Sequence, residues 1–186
     1  MKKTDVCPWQ TGNLLMLSVR RLVHNPNRII KPYITEGMTV MDVGCGMGYF
    51  TIPMAQMIGE SGHVIAADVQ QEMLTGMLIH AEKAGVKKQI EPRLCERNTM
   101  NIQDLYGTVQ FVILFMMLHE VPDHERLVQE VYDVLEPGGK ILFAEPLIHV
   151  GRESFVQSLE VMKRVRLTVV ETPHIALCRT AVLIKR

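Results

Sequence analysis

Short apolar runs alternate with longer amphipathic stretches along most of the chain. Thr39–Val43, Val64–Ala67, Ile90–Leu94, Gln110–Phe115 and Lys140–Ala144 are runs of four to six residues bounded by polar or glycine-rich segments, the pattern of strands. Gln110–Phe115 is apolar without a break after its glutamine, as expected of a strand covered on both faces. Between the runs, Tyr49–Ile58, Gln70–Ala84, Asp123–Leu135 and Gly151–Arg164 carry helical spacing, and Gly59 and Gly85 close the first two. Leu167–Val170 and Ala181–Ile184 read as two final strands, and Glu136-Pro137-Gly138-Gly139 as a tight turn before Lys140. Ahead of the first strand, Leu15, Val19 and Leu22 predict a helix over 10–24 that stops at Asn25-Pro26, and a second short helix covers Asn27–Tyr33. Strands that alternate with helices imply an α/β fold, a mostly parallel sheet with helices on both faces. Such sheets bind ligands at the carboxyl ends of their strands, so the informative residues are those just after each run.

Composition narrows the class. At 186 residues the chain has the mass of one domain. Lys plus Arg and Asp plus Glu are both 20, which leaves no global electrostatic footprint for nucleic acid or an anionic membrane. The local cations Lys163, Arg164 and Arg166 read as a solvated helix end. Cys7, Cys45, Cys95 and Cys178 form no CxxC pair, so neither a disulfide framework nor a metal site is expected. The basic start lacks a following apolar stretch of signal-peptide length, and the longest apolar run, Phe111–Leu118, is far too short to span a membrane. The expected location is the cytoplasm. Most of the 13 methionines are expected to fill the core.

The segment after the first strand holds Gly44, Gly46 and Gly48 within five residues. Glycines there allow left-handed backbone and close approach of a ligand to the main chain. The spacing is GxGxG rather than the GxGxxG of dinucleotide folds, and Asp42 stands two residues before the first glycine. A carboxylate at that place opposes a pyrophosphate and suits a cationic ligand. After the second strand, Asp68 follows Gly48 by 20 residues; an acid there can accept both hydroxyls of a ribose. A plain helix cap is the alternative reading, and one acid can serve both roles.

Val40-Met41-Asp42-Val43-Gly44-Cys45-Gly46-Met47-Gly48 resembles the first motif of class I S-adenosylmethionine-dependent methyltransferases. Val64-Ile65-Ala66-Ala67-Asp68-Val69-Gln70 and Leu135-Glu136-Pro137-Gly138-Gly139-Lys140 resemble later parts of the same family. The resemblance covers roughly residues 37–186. It implies a Rossmann-like three-layer sandwich with a seven-stranded sheet and an antiparallel last strand. It also implies S-adenosylmethionine as cofactor, with Asp42, Gly44, Cys45, Gly46 and Gly48 around its methionine part and Asp68 and Val69 beside its ribose. Where the family often has Gly-Asp-Ala, this chain has Cys95-Glu96-Arg97, so Glu96 and Arg97 stand at the adenine position. Leu114 and Phe115 would touch the cofactor through backbone and apolar surface.

His119 is the candidate general base, since a histidine titrates near neutral pH, and a structural histidine is the alternative. Glu145, at the end of the fifth strand, is a candidate to orient a substrate donor. Residues 1–35 are expected to form a helical segment that closes over the active site, ahead of the methyltransferase domain at 36–186. Trp9 within that segment reads as a packing anchor or as a surface for a substrate ring. The amide and base N-methyltransferase motif Asn-Pro-Pro-Tyr is absent after the fourth strand, where Leu-Phe-Met-Met stands. That favours O-, C- or S-methyl transfer to a small, fairly apolar acceptor. Rival readings are a nucleic-acid or protein methyltransferase, a metal-thiol enzyme, and a non-catalytic binding module. The oligomeric state is open, with a homodimer among the expectations.

Overall fold

The computed structural model describes residues 22–96 and 99–186. Helix α1 (Pro26–Ile30) is capped by Asn25, whose side chain accepts from the Arg28 amide. It is shorter than the Asn27–Tyr33 expected, because the chain turns at Lys31-Pro32. Strand β1 (Thr39–Val43) and helix α2 (Thr51–Ile58) flank the glycine segment. Then come β2 (His63–Asp68), α3 (Gln71–Lys83), β3 (Ile90–Leu94), β4 (Val109–Phe115) and α4 (His124–Val134). The last elements are β5 (Leu135–Pro146), α5 (Arg152–Arg164), β6 (Leu167–Glu171) and β7 (Cys178–Lys185).

The seven strands form one sheet in the order β3-β2-β1-β4-β5-β7-β6. The first five run parallel, and β7 is antiparallel to both β5 and β6. The order reverses between β1 and β4, so the crevice for a ligand opens above their carboxyl ends. Pro92 is tolerated in β3 because that strand is the sheet's edge.

One expectation is corrected here. Glu136-Pro137-Gly138-Gly139 is not a turn that precedes a strand; it lies inside β5. The β4–β5 register jumps from Val109↔Leu135 to Phe111↔Lys140, so the segment is an irregularity in the ladder. Gly138 supplies a φ of +88° there, and a Cβ at Gly139 would press on the Val109 carbonyl at 3.0 Å. Glycine is needed for both reasons.

The sheet is buried on both faces. Phe111, Ile113, Leu142, Ala144 and Val182 pack with α2 and α3, while Val112, Leu114, Ile141, Phe143 and Leu183 pack with α4 and α5. Alternate residues of each strand serve the two layers, which is why the β4 sequence reads as a continuous apolar run. At the end of α5 the cations are spoken for: Lys163 pairs with Glu160 at 2.7 Å and Arg164 with Glu125 at 2.5 Å. No helix among the described residues is long and apolar enough to cross a membrane.

Candidate active site

The glycine segment is held as a loop by the strand beside it. The Gly44 and Cys45 amides both donate to the Ala67 carbonyl, at 2.9 and 3.0 Å, and Gly48 donates to the Cys45 carbonyl at 3.0 Å. All three glycines have positive φ: +71° at Gly44, +53° at Gly46 and +92° at Gly48. Gly48 is also sterically required, because a Cβ there would sit 2.9 Å from Cγ of Met77 on α3. Gly46 faces open space, with nothing within 4 Å of the place a Cβ would occupy. The main chain is therefore bare toward the crevice at Gly46. Cys45 lies in the opposite sense, buried in the core.

Asp68 ends β2 beneath this loop and is buried. Its Oδ2 accepts from the Gly46 amide and its Oδ1 from the Gln70 amide, each at 2.9 Å. Burial raises its pKa, against the pull of the Gln70, Gly46 and Val69 amides. A carboxylate left short of solvation gains from further donors, and each oxygen retains a lone pair for one. Val69 beside it is exposed, as is Leu94 at the matching end of β3. Asp42 is buried in β1, where its Oδ2 accepts from the Thr51 hydroxyl at 2.6 Å.

Leu114 is fully buried and Phe115 nearly so. The Phe115 ring lies 4.6 Å from that of Phe50 and edge-on to His24 at 5.5 Å. His24 is buried and donates from Nε2 to the Ala176 carbonyl at 2.7 Å, while its own carbonyl accepts from the Tyr49 hydroxyl at 2.7 Å. The chain at residue 24 is thus fastened to the turn that leads into α2 and to the loop before β7. The closing helix expected over 1–35, with Cys7 and Trp9, falls mostly outside the described residues.

Glu96 is exposed and bridges Thr99 through the backbone; Arg97 lies outside the described residues. Burial pushes the Cys45 thiol well up, helped by the charges of Asp42 and Asp68, and pushes Cys95 to about 12. Both are neutral thiols at pH 7, poor nucleophiles and poor ligands, which counts against thiol chemistry. Among the described residues no cluster of three or more His, Cys, Asp or Glu is placed to hold a metal ion.

The second half of the site lies past β4. Met116 has a φ of +58° and donates its amide to Ala144 at 2.7 Å. Met117 follows and lies against Gly44, where a Cβ would meet the Met117 Cβ at 3.0 Å. The glycine loop and the β4 loop are therefore in contact. A single 3₁₀ turn, Leu118–Glu120, then presents His119. Its Nδ1 donates to Glu145 Oε2 at 2.5 Å, and its amide donates to Glu145 Oε1 at 3.3 Å. Glu145 is 1% exposed. The hydrogen bond to Glu145 raises the His119 pKa, against partial desolvation. Nε2 is left with no hydrogen-bond partner among the described residues. His149 stacks on the His119 ring at 5.8 Å and 11°. The sequence showed His119 and Glu145 as separate candidates; their pairing, and His149, have no local signature because the contact spans 26 residues.

A buried acid below a bare glycine loop, at the point where strand order reverses, defines the class of Rossmann-like folds that hold an adenosine cofactor. The chain belongs to the methyltransferase domain family, whose model matches residues 34–172. It is 32% identical over 125 residues to a demethylmenaquinone methyltransferase of Shouchella clausii, covering 66% of this chain and 52% of that protein. A protein of the same name from Lactobacillus johnsonii is 32% identical over 128 residues. The chain thus spans about half the length of the curated relatives it matches. Among solved structures, an Aquifex aeolicus SAM-dependent methyltransferase superposes with a TM-score of 0.86 at 23% identity, covering 97% of this chain and all of the other. Fibrillarin of Aeropyrum pernix, solved with bound S-adenosyl-L-methionine, gives 0.65 at 16% identity, covering 82% and 68%. The fold is that of class I S-adenosylmethionine-dependent methyltransferases, and S-adenosylmethionine is the cofactor of that class.

The residues fit this group. Asp68 lacks the donors that a ribose diol carries, Gly46 leaves room for a close approach, and Asp42 brings negative charge to a loop that would face a cationic amino acid head.

Proposed function

We propose that this protein transfers a methyl group from S-adenosylmethionine to a small-molecule acceptor, with His119 as the base that receives the acceptor's proton. The observation that carries the reading is the buried Asp68 carboxylate joined to the Gly46 amide at the mouth of the crevice. S-adenosylmethionine supplies an electrophilic methyl on a sulfonium. The protein's own part is alignment, exclusion of water and proton removal. Gly44, Gly46 and Gly48 set the loop, and Asp68 holds the ribose. Asp42 lies beneath the amino acid end. Val69 and Leu94 offer apolar surface to the adenine, and Leu114 and Phe115 close the floor. Glu96 stands at its rim.

Glu145 fixes the His119 tautomer with the proton on Nδ1, so Nε2 is the basic atom. The same hydrogen bond strengthens that base. Relatives named for demethylmenaquinone support a small-molecule acceptor, and the chain's formal net charge of zero favours it over nucleic acid.

Calorimetric titration with S-adenosylmethionine and S-adenosylhomocysteine tests the reading. Micromolar binding is expected. Asp68→Ala should weaken it at least about hundredfold, since two charge-assisted hydrogen bonds at roughly 1.5–3 kcal/mol each are lost. A folded wild-type protein that binds neither compound overturns it.

A further inference from the structure

The segment that follows Glu145 does more than end a strand. Pro146 closes β5, and a turn over 147–149 returns the chain, with the His149 and Val150 amides donating to the Pro146 carbonyl at 3.3 and 3.0 Å. That turn sets His149 on His119 and leaves Leu147 and Ile148 exposed, Ile148 at 85%. The Leu147 amide donates to the Leu177 carbonyl at 2.9 Å, so Leu177 joins the same lip. Leu177 is 59% exposed and has a φ of +59°. A leucine in left-handed backbone is strained, because its Cβ crowds the following carbonyl oxygen, and such strain collects where ligands bind.

A charge stands beside the lip. Arg179 is paired with Glu145 across the β5–β7 ladder. Opposed residues of an antiparallel pair leave the same face of the sheet. Arg179 therefore emerges on the Glu145 side. Its Nε donates to the Val150 carbonyl at 3.2 Å, and its terminal nitrogens have no partner among the described residues. Arg179 shares this face with Glu145, and Glu120 also acts on His119, so the guanidinium is the donor available to an acceptor oxygen that becomes negative as it gives up its proton.

We propose that Leu147, Ile148 and Leu177, with Arg179 and His149, form the acceptor-binding surface, and that the acceptor is a phenol- or enol-type hydroxyl on an extended apolar body. The inference rests on the methyltransferase reading above. The occupant follows from continuity: the five residues from Glu145 to His149 carry both partners of the His119 ring and the apolar lip. The hydroxyl lies at His119, with the Arg179 guanidinium on the same face to take up the charge it gains when ionised. The body lies along Leu147, Ile148 and Leu177, whose exposed area it removes from water. A polar or polyanionic acceptor has nothing to match that lip.

The test uses protein saturated with S-adenosylhomocysteine and titrated with 2-naphthol and with phenol, which share the hydroxyl and differ in apolar body. Binding of 2-naphthol at least tenfold tighter than phenol is expected. Ile148→Asp should reduce 2-naphthol affinity about tenfold with S-adenosylhomocysteine affinity unchanged within twofold. Arg179→Met should weaken both phenols together. Equal affinities for the two phenols overturn the proposal, as does 2-naphthol binding that Ile148→Asp leaves unchanged, and either leaves the cofactor reading standing. Failure of the folded protein to bind S-adenosylhomocysteine overturns the cofactor reading itself and the proposal with it.

Discussion

At the β1–β2 end of the cleft the left-handed positions are Gly44, Gly46 and Gly48; at the β4–β5–β7 end they are Met116 and Leu177. The same backbone problem is solved in two ways. Glycine adopts positive φ without a Cβ penalty. Methionine and leucine pay of order 1 kcal/mol or more each for it. The end that faces a fixed ligand can do without side chains, because backbone amides and one acid are enough. The end proposed to face the acceptor keeps side chains even where they are strained. The difference teaches where a family is generic and where one member is individual.

The comparison can be broken by substitution, beginning with the severest. Gly48→Ala combines a left-handed alanine with a Cβ 2.9 Å from Met77 Cγ. Together these should lower unfolding stability in urea by about 2–5 kcal/mol, as strain of roughly 1–2 and overpacking of roughly 1–3 kcal/mol add. Stability unchanged within 0.5 kcal/mol would mean the loop is not rigid.

Glu145→Gln comes next and acts on the other end. Loss of the charged partner should return the His119 pKa toward its ordinary 6.5. The rate of methyl transfer should fall about ten- to a hundredfold, within the usual scale of general-base catalysis. The rising limb of its pH profile should shift to lower pH, since the base is then unprotonated sooner. NMR titration of the imidazole gives the shift directly, and an unmoved His119 would sink the pairing as the source of basicity.

Gly46→Ala sharpens the contrast with Gly48. Its Cβ meets nothing in the protein, so the cost is strain alone, about 1 kcal/mol. Cofactor binding should nonetheless fall about tenfold or more, because the new methyl fills the bare face of the loop. A variant that keeps full affinity would show that the cofactor does not approach there.

Gentler still is the pH dependence of folding. The His119 pKa is raised in the folded protein, so its pair with Glu145 stabilises fully below the unfolded value near 6.5 and the contribution is lost as pH rises through the folded value. Urea midpoints measured from pH 6 to 8 should decline in the wild type and decline less in His119→Gln. Leu177→Gly is the mildest change. It removes strain from an exposed site and should alter stability by no more than about 1 kcal/mol in either direction, while acceptor binding weakens.

Most of the sheet was legible because strand and helix periods are local. The runs at Thr39, Ile90 and Gln110 lie within a residue of the strands found. The Glu136–Gly139 segment misled because glycine and proline signal a turn, while the β4 partner strand, unseen in a local window, draws the segment into the ladder. The family resemblance gave an expectation for the cofactor half residue by residue. The acceptor half was hardly legible. The His119–Glu145 bond, the stacked His149 and the Arg179 opposite Glu145 depend on how β4, β5 and β7 align, and alignment between distant strands leaves no mark in either partner alone.

The position of β7 carries a consequence for synthesis. It lies between β5 and β6, although both precede it in the chain. Until β7 has left the ribosome, the edge of β5 away from β4 has no neighbour, and β6 has none to join. The nascent protein therefore carries an open apolar edge at its centre from the synthesis of β5 until β7 follows, a template for wrong pairing. A slow codon run or a bound chaperone between β5 and β7 would matter more for yield here than one ahead of β5.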